Sequence, residues 1–104
     1  LEPYAIAILA KYASRCESIG ADLRLLSILE FIGEIKDEED SSIGLIIEPL
    51  AEKALMRIHH RSSSHSCDFI RGKMIWKKIQ NTLKLGDTPS TIRINQLISD
   101  NKQN

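Results

Sequence analysis

Cysteine and aromatic residues are scarce in this chain, and no apolar run reaches the roughly 18 residues that a membrane-spanning helix needs. The two cysteines, Cys16 and Cys67, lack any framework spacing. A disulfide-stapled scaffold is thereby excluded, and free thiols in a reducing compartment are expected. No segment sustains period-two alternation between turn dipeptides, which argues against strands. There is no glycine loop for phosphate, no nucleophile elbow and no preorganised oxyanion site, so the serines around His60, His65 and Asp68 do not make a hydrolase. A non-enzymatic protein is expected, with no cofactor, no small-molecule substrate and no membrane partner.

What is present is an ordinary globular composition: 104 residues, 42% apolar and 27% charged. That length fits one domain able to close a single core. The chain starts at Leu1, with no basic leader or apolar signal region, and is read as one domain (1–104) of a longer protein, with 100–104 as a frayed tail. The formal net charge of zero hides a separation. Residues 1–56 carry eleven acids against five bases, and residues 57–84 one acid against seven bases. A basic segment of that kind attracts phosphates or acidic peptides when it is not simply a solvated face.

Apolar periodicity predicts an all-α fold, a compact bundle of four or five helices. Pro3–Ile19 carries Tyr4, Ile8, Leu9, Tyr12, Ala13, Cys16 and Ile19 on one side, and Gly20 is expected to end it. Ala21–Lys36 is apolar over more than half its circumference, as in a helix packed on several sides. After DEEDSS, with N-cap candidates Asp40, Ser41 and Ser42, residues 43–58 read as helical but contain Pro49. A short turn at 43–47 and a helix starting near Pro49 are therefore expected. His59–Ser66 reads as a polar loop. Thr88 as N-cap and Pro89 as first residue open a short last helix.

Between them lies Ser66–Leu85, closed by Gly86. Phe69, Gly72, Ile75, Trp76, Ile79 and Leu83 fall on one arc, as expected of a core face. The opposite side carries Arg71, Lys73, Lys77, Lys78 and Lys84, with Ile70 and Met74 among them. Ile70, Arg71, Lys73, Met74, Lys77 and Lys78, with His60 and Arg61 from the preceding loop, form the candidate partner surface. An aromatic side chain of a peptide would fill the notch at Ile70 and Met74 while its acids meet the bases. The competing reading packs Ile70 and Met74 on the first or last helix.

A leucine-rich helix (Leu25, Leu26, Leu29), an Ile-Gly pair (Ile43, Gly44) and a late helix with Gly72-Lys73 and Trp76-Lys77 together resemble the TFIIS N-terminal domain family, also called LW domains. The resemblance covers residues 21–85; Pro49 and a longer connection from Gly44 to Trp76 depart from the pattern. It implies a nuclear, non-enzymatic helical bundle that docks short linear motifs of disordered partners in transcription elongation. In that family's arrangement Trp76 would be mainly core.

Other readings compete. His59, His60, His65 and Cys67 are four zinc-ligand types within nine residues, but their spacing matches no metal-site pattern, and no metal is expected. Glu34, Glu38, Glu48 and Glu52 read as a solvated acidic edge. The alternative function is nucleic-acid binding through Arg57, Arg61, Arg71, Lys73, Lys77, Lys78 and Lys84, with TPSTIRINQLISDN as a recognition helix. Against it, the aromatics near the basic stretch, Phe69 and Trp76, lie on the core arc. A fragment of an α-solenoid scaffold is the other alternative.

Overall fold

The computed structural model describes residues 3–35 and 42–102. Five helices follow in order: α1 (Pro3–Ser14), α2 (Ile19–Ile35), α3 (Ile43–Arg61), α4 (Cys67–Leu83) and α5 (Pro89–Lys102). There is no strand among the described residues, and the fold is the all-α bundle that the periodicity predicts. The N-cap candidates Asp40 and Ser41 lie outside the described residues.

The core is built on α2, α3 and α4. Leu25, Leu26, Leu29, Ile47, Leu55, Ile58, Phe69, Trp76 and Ile79 are all fully buried. A Cβ on Gly72 would stand 3.2 Å from Leu55, 3.5 Å from Ile58 and 3.6 Å from Leu26. Gly72 thus sits where these three helices approach closely, and an added side chain there would require Leu55 to shift by a few tenths of an ångström. Gly44 faces Leu85 while Gly72 faces Leu55 and Ile58, so α3 and α4 run antiparallel. Gly33 faces Leu83 and Leu26 faces Gly72, so α2 and α4 run in the same direction.

Several boundaries differ from the sequence expectation. Gly20 does not end the first helix; it is the second residue of α2. Ser18 sets that start, because its Oγ accepts the Ala21 N–H at 3.1 Å, an N-cap bond that outweighs the pull of one glycine. Only Leu9 and Ala13 of α1 are buried, whereas Tyr4 and Ile8 are exposed. Contact is made by its C-terminal end, where the Tyr12 hydroxyl donates to the Ala21 carbonyl. Phe31 and Ile35 likewise stay exposed on α2, so its C-terminal half is not enclosed on every side. α5 is longer than the short helix expected and continues to Lys102.

No break occurs at Pro49, which sits inside a continuous α3. Pro49 and Leu45 are both exposed, so the Leu45 carbonyl that loses its i+4 donor faces the solvent side of the helix. α3 also extends through His59, His60 and Arg61, leaving only Ser62–Ser66 as the connection to α4.

At the end of α4, Lys84 rather than Gly86 adopts the left-handed conformation, with φ 52° and ψ 47°. The Leu85 N–H then donates to the Gln80 carbonyl at 3.3 Å, a closing bond of the Schellman type. A left-handed non-glycine residue costs about 1–2 kcal/mol. Lys84→Gly is therefore expected to raise the stability by about 1 kcal/mol, read as a higher urea midpoint with an unchanged m-value.

Candidate functional site

α4 is positioned from both ends. Ser66 accepts the Phe69 N–H at 3.1 Å as N-cap, and Lys84 ends the helix as described. With Phe69, Gly72, Trp76 and Ile79 buried, the other side of the helix is turned outward. Ile70 is 44% exposed and Met74 58% exposed, so no neighbouring helix covers either as it would a core residue. They lie one turn apart in an open hollow of about 330 Å³ lined by Cys67, Ile70, Arg71, Met74, Ile75 and Lys78. Arg71 and Lys78 are exposed at its edges and Lys77 is exposed beside it. None of these three bases forms an ion pair among the described residues. The result is an apolar floor with an uncompensated cationic rim.

Not every base assigned to this face belongs to it. The Lys73 ammonium lies 5.4 Å from the centre of the Phe69 ring and is half-buried there, in cation–π geometry. The same ring meets His59 at 5.2 Å. His60 and Arg61 line a different hollow, of about 400 Å³, together with Met56, Arg57, His59 and Leu97. Of the eight residues, Ile70, Arg71, Met74, Lys77 and Lys78 thus lie in or beside one hollow, His60 and Arg61 line another, and Lys73 sits on the Phe69 ring.

Arg57 is drawn inward, and the exposed Arg61 is paired, by a residue that periodicity does not single out. Asp22 is fully buried and receives Arg57 through bonds of 2.7, 2.9 and 3.1 Å, with Arg61 at 3.4 Å. Arg57 also donates to the Ala13 carbonyl at 3.1 Å, so one guanidinium joins α1, α2 and α3. The bond to Asp22 raises the Arg57 pKa further, and burial pushes the nearby Cys16 thiol up, keeping it protonated and unreactive. The only trace of this in the sequence is an acid sharing the arc of Leu25, Leu26 and Leu29.

Of the acidic edge, Glu34 is exposed as read and Glu38 lies outside the described residues, but Glu48 and Glu52 are not solvated acids. Glu48 is 3% exposed and accepts hydrogen bonds from the hydroxyls of Thr88 and Thr91. Glu52 receives Arg93 at 2.5 and 2.9 Å. These contacts fasten α5 to α3 and pair the exposed Arg93 with an acid. The Arg93 hydrogen bonds hold the Glu52 carboxyl below its ordinary pKa. A depressed carboxylate pKa adds stability above the unfolded value and loses it as pH falls through the folded one. Thermal midpoints are expected to fall between about pH 5 and pH 3, and Glu52→Gln should flatten part of that decline.

Both cysteines are free thiols, Cys16 buried and Cys67 exposed. Among the described residues no three His, Cys, Asp or Glu side chains converge as a metal site. No helix among them is long and apolar enough to cross a membrane. Compared with protein-family models, with curated proteins and with solved structures, the chain matches none.

Proposed function

We propose that this domain is a non-enzymatic protein-interaction module whose outer α4 face docks a short acidic motif carrying an aromatic or large aliphatic anchor. The observation that carries this reading is the exposure of Ile70 and Met74 within a hollow edged by Arg71 and Lys78, bases that no acid among the described residues neutralises. Folding leaves an apolar pair one turn apart with unpaired cations beside it, the complement of an anchor side chain flanked by carboxylates. The resemblance to TFIIS N-terminal domains adds a context, nuclear assembly of transcription-elongation factors. Nucleic-acid backbone binding is the weaker reading, because Arg57, Arg61 and Arg93 are held by Asp22 and Glu52.

An NMR titration of the isolated domain with acidic peptides containing Phe or Leu tests this. Saturable shifts confined to Ile70–Lys78 are expected. Arg71→Glu with Lys78→Glu should weaken that binding by about tenfold or more while leaving the melting temperature nearly unchanged, since exposed charge changes cost little. These positions serve better than Lys73, whose reversal would disturb Phe69. Shifts with a DNA or RNA duplex alone, collapsing with added salt, would overturn the peptide reading.

A further inference from the structure

Thr88 occupies an unusual position. It is followed by Pro89, it is half-exposed between exposed Asp87 and Pro89, and its hydroxyl donates to a carboxylate with almost no access to water. The same oxygen accepts the Thr91 N–H at 3.3 Å, so Thr88 caps α5 while joining it to α3. A buried carboxyl group is tolerated where hydrogen-bond donors reach it, and the Thr88 and Thr91 hydroxyls both donate to Glu48 Oε1.

We propose that Thr88 is a phosphorylation site for a proline-directed serine/threonine kinase, and that its modification releases α5 from α3. In the reaction the Thr88 Oγ1 attacks the γ-phosphorus of ATP. One O–P bond forms, the β–γ phosphoanhydride bond breaks, ADP leaves, and the hydroxyl proton passes to the kinase base.

The chemistry at Glu48 then inverts. A hydroxyl donor becomes a group carrying about −1.5 to −2 charges with acceptor oxygens only, set against a buried anion. The N-terminus of α5 favours a phosphate, but that attraction is modest and acts equally well in a solvated first turn. Repulsion from a carboxylate in contact at low dielectric is the larger effect, and moving the start of α5 into water relieves it. Arg93, which bonds Glu52 one turn further along α3, is drawn away with the helix. The face of α3 under Thr91, Ile94 and Ile98 is uncovered as a result. This device is independent of the α4 hollow.

The test incubates the folded domain with ATP and a purified proline-directed kinase, maps the phosphate by tandem mass spectrometry, and follows amide hydrogen exchange. A peptide spanning residues 84–94 serves as a positive control for kinase activity. Modification of Thr88 with at least about tenfold faster exchange across Ile92–Ile98, and unchanged protection in α2 and α4, is the expected result. A folded domain that stays unmodified while the control peptide is phosphorylated overturns the site. Phosphorylated Thr88 with α5 protection intact overturns the release. Glu48→Gln checks the cause, because an amide can donate to the phosphate. Modified Glu48→Gln protein should keep most of its α5 protection, and loss equal to that of the wild type would refute charge repulsion. If Glu48→Gln fails to fold, the wild-type experiment alone decides both the site and the release.

Discussion

Trp76→Ala is expected to lower the stability of the domain by about 3–5 kcal/mol, a large part of the roughly 5–15 kcal/mol available to a domain. Trp76 is fully buried at the centre of α4, between two other fully buried residues of the same face, Phe69 and Ile79. The cost is that of a cavity. The indole Nε1–H reaches Asn95 Oδ1 only at 3.4 Å, a long and weak bond, so Asn95→Ala should cost under about 1 kcal/mol. Urea unfolding followed by far-UV circular dichroism separates the two variants without relying on the indole as a probe. A Trp76→Ala protein of normal stability that loses peptide binding would instead make Trp76 an interface residue.

Arg57→Ala should be nearly as damaging, at about 3 kcal/mol, for an electrostatic reason. Asp22 has no exposure, and removing Arg57 leaves its charge buried with Arg61 as its remaining cationic partner, at 3.4 Å. It also removes the donor to the Ala13 carbonyl, which loosens α1. The diagnostic measurement is the double mutant. Asp22→Ala with Arg57→Ala removes the stranded charge, and its loss should be smaller than the sum of the two single losses by about 1 kcal/mol or more. Strict additivity would mean that the pair contributes no coupling and that Arg57 acts through packing and its bond to the Ala13 carbonyl. Peptide binding on α4 should persist in whichever variants stay folded, since Arg57 lies outside that hollow.

Much of the candidate site was legible because a helix face is a local property. Ile70, Arg71, Met74 and Lys78 share a side of α4 by spacing alone, and once Phe69, Gly72, Trp76 and Ile79 face the core these four turn outward. His60 and Arg61 are close to them in the chain. Closeness in the chain says nothing of direction, and the last turn of α3 presents both residues to the other hollow. Lys73 has a basic label but an aromatic neighbour, which only the packing of Phe69 reveals.

Periodicity, capping residues and proline at a first turn were enough to define an all-α bundle, the buried arc of α4 and the start of α5 at Thr88–Pro89, because each depends on contacts within a few residues. Tertiary structure decided which polar groups the core accepts. Asp22 and Arg57 are 35 residues apart, and Glu48 and Thr88 are 40 apart. No local pattern distinguishes such acids from solvated ones; they are accommodated inside the fold because another helix delivers hydrogen-bond donors to them. The same holds for the unbroken α3 around Pro49 and for Lys84 in the left-handed region, where packing on both sides overrides a local cost of a few kcal/mol at most.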